Sequence, residues 1–106
     1  MSNRNERIKE VLRDLGARFL LQEGNKSSLI TVTSVELTPN EKHATIFFTV
    51  FPENFEKTAL EFAKRKRKEF KTFVKENSKL GHIPLLDFEI DKGEKNRQKI
   101  DALLKE

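Results

Sequence analysis

The strongest constraint on this chain is an apolar stripe that is broken by charge. Phe55, Ala59 and Phe62, then Phe70, Phe73 and Asn77, recur at the three- and four-residue spacing of one long amphipathic helix. The same spacing asks for a stripe member near position 66. The sequence supplies Lys66, at the centre of five consecutive cations: Lys64, Arg65, Lys66, Arg67 and Lys68. The basic run therefore interrupts the face that should be buried. A core-facing helix carries such a break only if it bends there or meets an anionic partner.

The elements around this helix read from their own patterns. Residues 5–22 predict a first helix, with Ile8, Val11, Leu12, Leu15 and Phe19 at helical spacing. Gly16 weakens it by about 1 kcal/mol relative to alanine, and Gly24 and Asn25 end it. Residues 29–37 are rich in Ile, Val and Thr and predict a strand. Thr38, Pro39, Asn40 and Glu41 form a turn, in which Pro presets φ and Asn tolerates the turn conformation. Residues 43–51 return as a second strand. Ala44, Ile46, Phe48 and Val50 point one way, and Thr45, Phe47, Thr49 and Phe51 the other. One face should pack on helices and the other should be partly covered.

The long helix opens at Asn54, a candidate N-cap with Glu56 in the first turn, and runs to about Leu80 before Gly81 stops it. Residues 85–90 predict a third strand, with Leu86, Phe88 and Ile90 alternating against Asp87 and Glu89. A short helix over about 94–104 closes the chain, with Ile100, Leu103 and Leu104 as its stripe. This order implies an α+β fold, a three-stranded sheet packed on helices. The 106 residues suit a single domain spanning 1–106.

Composition narrows the chemistry. Charged residues make up 36% of the chain and the net charge is +4, which suits a polyanion without choosing among them. The distribution says more: residues 64–75 hold seven cations and one acid, Glu69. Lys71 and Lys75 thus extend the basic run by two turns. Lys and Arg neutralise phosphates and release counterions, which gives affinity without sequence readout. Phe70 and Phe73 belong to the apolar stripe, so no aromatic platform for base stacking accompanies the cations. Arg4, Arg7 and Lys9 form a weaker second patch, better read as solvated. There is no cysteine, which excludes disulfides and thiolate chemistry. His43 and His82 lack further ligands at metal spacing, so no metal is expected; His82, after Gly81, can contact phosphate. Asp87, Glu89 and Asp91 share a strand face and are expected to face solvent or to pair with Lys92 and Lys95. No phosphate-binding glycine loop or nucleophile elbow is present, so neither an enzyme nor a cofactor is expected. The charged N-terminus carries no apolar signal core, and the apolar runs are too short for a bilayer. A cytoplasmic chain without a membrane partner follows as the expectation.

Three segments carry a family resemblance. The first is Thr31–Val–Thr–Ser–Val–Glu–Leu–Thr–Pro–Asn40 with His43–Ala44 and Thr49–Val50–Phe51. The second is His82–Ile83–Pro84–Leu85–Leu86–Asp87–Phe88–Glu89–Ile90–Asp91. The third is the closing Ile100–Asp101–Ala102–Leu103–Leu104. In this order and spacing the chain resembles the ribosome-binding factor A family, small-subunit ribosome assembly factors with a type II KH-like fold. The resemblance implies a non-catalytic factor that binds the immature 30S subunit and its 16S rRNA around the decoding centre. It also implies help with late maturation and rRNA processing, departure when the particle matures, and a monomer when free. Lys64, Arg65, Lys66, Arg67, Lys68, Lys71 and Lys75 would make the RNA contact. A generic KH-like RNA binder, or a module whose basic helix meets an acidic protein, are the rival readings.

One departure bears on the site. KH domains hold the nucleic-acid backbone at a glycine-containing turn between two helices, and this family typically has an Ala-X-Gly kink there. The matching positions fall at about Lys66, Arg67 and Lys68, with no glycine between Gly24 and Gly81. A straighter helix is the expectation, with close backbone approach exchanged for charge.

Overall fold

The computed structural model describes residues 2–24 and 27–104, and the side chains of 4–24 and 27–98. Helix α1 spans Ser2–Glu23, strands β1 and β2 span Leu29–Leu37 and His43–Phe51, and a 3-10 turn covers Glu53–Phe55. Helices α2 (Glu56–Arg65) and α3 (Arg67–Asn77) follow, then β3 (Leu85–Ile90) and α4 (Lys92–Leu104). The three strands match the sequence reading residue for residue.

The sheet order is β1-β2-β3. The β1–β2 pair is an antiparallel hairpin, with its register shifted between Val32 and Ser34. The β2–β3 pair is parallel, which requires a crossover, and α2 and α3 supply it. Cross-strand register aligns Ala44 with Leu86 and Ile46 with Phe88. These four are buried, facing the helices. Ile8, Leu12, Leu15, Phe19 and Leu20 of α1 meet them from above, with Ala59, Ala63, Phe70 and Val74 of α2 and α3. Phenylalanine dominates this contact. Phe70 lies between Phe19 and Phe88, with both ring-centroid separations 5.2 Å, and Phe88 meets Phe48 edge-on at 6.4 Å.

Gly16 acquires a reason in this packing. A β-carbon there would lie 3.3 Å from Ile46 Cγ2 and 3.7 Å from the Phe70 ring. The glycine lets α1 approach the sheet closely, in exchange for its helix-propensity cost.

The opposite sheet face is partly covered, as its mixed pattern implies. Thr49 is buried and Phe47 half-buried, while Phe51 is 72% exposed. Helix α4 packs against β2. Asp91 starts that helix by accepting the Glu94 backbone N–H at 2.9 Å, and it also accepts the Thr33 hydroxyl of β1. The apolar stripe expected at Ile100, Leu103 and Leu104 lies outside the described side chains.

Two turn expectations change. Asn54 falls within the 3-10 turn, and Phe55 precedes α2 without a side-chain cap. In the hairpin it is Glu41 that takes positive φ (61°). Asn40 instead accepts the Lys42 N–H through Oδ1 at 3.0 Å, and Arg4 holds the Glu41 carboxylate at 2.9 Å.

Candidate nucleic-acid interface

The straight helix expected from the missing glycine is not what forms. The chain bends at Lys66, which separates α2 from α3 with φ −95° and ψ 10°. That conformation lies in the bridge region, open to any residue, so no glycine is needed. The Lys66 N–H is shared between the carbonyls of Phe62 (3.2 Å) and Ala63 (3.1 Å). Arg67 then donates its Nε to the Lys64 carbonyl at 3.0 Å. A guanidinium thus serves an acceptor at the end of α2, where helical carbonyls lose their backbone donors. The bend also corrects the stripe: Ala59 and Ala63 are buried in α2, Phe70 and Val74 in α3, and Phe62 and Phe73 are only half-buried. Lys66 occupies the break, its side chain 33% exposed.

The seven cations of the basic run separate into two sets. Lys64 donates to Asp87 Oδ1 at 3.0 Å and to Glu89 Oε2 at 2.8 Å. Arg67 reaches the same Asp87 oxygen at 3.2 Å. Asp87 and Glu89 alternate with the buried Leu86 and Phe88, so they belong to the face of β3 turned away from the helices. These pairs bind the bend to the edge strand. Lys66 lies 3.7 Å from Glu23 and 3.8 Å from Glu69, with its ammonium 5.9 Å from the Phe62 ring centre. Arg65, Lys68, Lys71 and Lys75 are exposed and have no ion pair among the described residues. Lys68, Lys71 and Lys75 follow at i, i+3 and i+7 and share one face of α3. Arg65 stands just before the bend, at the rim of a cleft lined by Ile30, Phe55 and Phe62.

The paired set is electrostatically settled. The hydrogen bond to Glu89 holds the Lys64 ammonium above its usual pKa, against the opposing effect of burial. Burial pushes the Asp87 carboxyl up. The Lys64 hydrogen bond, the Phe88 N–H and the charges of Lys64 and Arg67 outweigh it, and the carboxyl sits below its usual range.

The acidic row therefore has partners that its sequence neighbours did not suggest. Asp87 and Glu89 take Lys64 and Arg67, while Lys95 pairs with Glu53 (2.7 Å) and Glu56 (3.1 Å). Asp91 is occupied by Thr33 and the start of α4. No group of three or more potential metal ligands occurs among the described residues.

A model of ribosome-binding factor A matches residues 3–104. The chain belongs to the ribosome-binding factor A family. The ribosome-binding factor A of Neisseria gonorrhoeae is 30% identical over 105 residues, covering 95% of this chain and 84% of that protein. The crystal structure of the Thermus thermophilus factor aligns with a TM-score of 0.70 at 19% identity, over 80% of this chain and 93% of that one. A solution structure of a candidate ribosome-binding factor A from Thermotoga maritima aligns with a TM-score of 0.59 at 26% identity, over 83% of each. The fold is that of the family, KH-like, with the α2–α3 bend at its centre.

Proposed function

We propose that this chain is a non-catalytic assembly factor that binds the 30S ribosomal subunit through 16S rRNA and assists late maturation and rRNA processing. The observation that carries this reading is the row Arg65, Lys68, Lys71 and Lys75 along the bend and α3. It is exposed, free of carboxylate partners among the described residues, and belongs to a member of a ribosome-binding family. Such a row neutralises phosphates spaced along a folded RNA and reads shape rather than base identity. Preferential binding of one rRNA arrangement is all the energetics require: the factor stabilises that arrangement by its difference in affinity and leaves when the particle no longer presents it. A ribosomal partner makes the chain a cytoplasmic one, acting as a monomer when free.

Co-sedimentation tests the reading. The wild-type chain and an R65E/K68E/K71E/K75E variant are spun with purified 30S subunits and with complete ribosomes, with unstructured RNA as competitor. The wild type is expected to pellet with free 30S subunits, to resist the competitor, and to lose binding with rising salt at a log–log slope of about −3 for four phosphates. The variant should remain in the supernatant while keeping its circular dichroism spectrum. If the wild type also stays in the supernatant at low salt, the ribosomal reading fails.

A further inference from the structure

A second basic group meets at the far end of α3. The α3–β3 connection brings Lys79 and His82 against Arg4 and Arg7 of α1, around a cleft of about 400 Å³ with Ile8 and Leu80 also in its lining. These residues come from chain segments more than seventy positions apart, so no local pattern in the sequence assembles them. No carboxylate lines the cleft. That sets it apart from the cleft at Arg65, which includes Glu23, and from the groove at Lys95, which includes Glu53 and Glu56. Arg4 is engaged with Glu41. Arg7, Lys79 and His82 are exposed and have no ion pair among the described residues. Gly81 lies between two of these side chains, and a β-carbon there would meet nothing within 4 Å. A ligand oxygen can therefore approach the backbone itself at this point.

We propose that this cleft is a second phosphate-binding site, which takes the sugar–phosphate backbone of the same RNA that α3 contacts. The inference rests on the RNA-binding reading and extends it. Arg7 and Lys79 have no carboxylate partner among the described residues and repel one another, and a phosphate relieves that repulsion while accepting their hydrogen bonds. RNA is favoured over an acidic peptide because the two basic sites are joined by a cationic helix. Eleven residues of α3 span roughly 16 Å at helical rise, and Lys68, Lys71 and Lys75 mark the way from bend to cleft. A nucleic-acid strand carries one phosphate per roughly 3.4 Å when stacked, so a single strand of several nucleotides bridges the two sites. The bend end meets the first phosphates and the cleft meets the last.

The test uses the whole chain and single-stranded RNAs of about 4 and about 12 nucleotides, with binding followed by fluorescence anisotropy over a salt series. An R7Q/K79Q/H82Q variant is compared with wild type and with R65Q/K68Q/K71Q/K75Q. All three substituted side chains of the cleft variant are exposed, and an unchanged melting temperature confirms its fold. For the long RNA the cleft variant should lose about 1.4 units of salt slope, at roughly 0.7 for each of the two cations removed, and more than tenfold in affinity at low salt. For the short RNA it should bind as wild type does, because α3 alone suffices. The bend-and-α3 variant should lose both. If the wild type binds the long RNA and the cleft variant matches it in slope and affinity, the cleft proposal is overturned while the RNA-binding reading stands. If the wild type binds neither RNA and an acidic peptide binds instead, RNA binding fails and the cleft proposal falls with it.

Discussion

Asp87 and Glu89 hold two of the cations at the bend, so removing their charge should strengthen RNA binding. The change to make is D87N/E89Q, which keeps size and an acceptor oxygen at each position. In the wild type, Lys64 and Arg67 meet these carboxylates at 2.8–3.2 Å. A phosphate approaching the bend must therefore displace one anion to gain another. With the amides in place, Lys64 and Arg67 become available to phosphate. Counterion release scales as roughly 0.7–0.9 log units of affinity per log unit of salt for each contact, so at 0.1 M salt each new contact is worth about five- to eightfold. Two contacts raise affinity by roughly 25- to 60-fold at 0.1 M, and steepen the salt slope by about 1.5. The fold itself should weaken. Both carboxylates are more than one-third exposed, so each lost pair costs only about 0.5–1 kcal/mol. That corresponds to a melting temperature lower by roughly 4–8 °C per kcal/mol. Anisotropy titrations of both proteins with one RNA over a salt series read the affinity, and thermal melts read the stability. A folded double variant that binds with wild-type affinity and slope would refute the reasoning. Lys64 and Arg67 would then serve only to bind the bend to β3.

Further outcomes follow from the same geometry. Arg67→Lys should cost about 1 kcal/mol in urea unfolding, because an ammonium lacks the fork that reaches the Lys64 carbonyl and Asp87 together. Asp91→Ala should cost about 1 kcal/mol, from loss of the α4 cap, and should raise amide exchange at the start of that helix. Phe88→Ala should cost roughly 3–5 kcal/mol, since its ring is fully buried against Phe48 and Phe70. Acid should destabilise the wild type more than D87N. Asp87 is held below its ordinary 3.8, so its contribution is complete above that value and fades as pH falls through the lowered one. Melts from pH 6 downward should show the two proteins converging in the acid range.

The strands, the helix order and the core face were legible because each rests on a local period. Alternation at Leu86, Phe88 and Ile90, and the spacing of Ile8, Leu12, Leu15 and Phe19, carry their own burial instructions. The basic run was legible as an anomaly, since Lys66 stands where the stripe calls for an apolar residue. What the run does was not. The partners of Lys64 and Arg67 lie twenty or more residues away on β3. Only the parallel register of β2 and β3 brings that strand beside α2. The cleft at Arg7 and His82 escaped for the same reason: each half looks like an ordinary solvated patch, and only the packed ends of α1 and α3 join them.

The bend is where the fold and the proposed RNA contact meet most directly. A glycine turn lets a nucleic-acid backbone approach the protein backbone, whose N–H groups bind it at a cost only modestly dependent on salt. Here the same place in the fold is built from Lys66 and Arg67, and side chains stand where a glycine would leave space. The Lys66 N–H is already shared between two carbonyls, and the Phe70 N–H is given to Lys66 at 2.8 Å. Neither is available to a ligand. On the proposed RNA contact, the long, solvated cations around the bend make affinity depend strongly on counterion release. Restoring a glycine at Lys66 separates the two designs. K66G leaves the bend possible, since φ −95° and ψ 10° suit glycine too, but it removes one cation and supplies no free N–H. RNA affinity and salt slope should then stay near the wild type, because Lys66 is already paired with Glu23 and Glu69 and lies outside the unpaired row. A K66G protein that binds RNA more tightly, with a flatter salt dependence, would mean that the backbone at the bend is the true contact and that the cations only surround it.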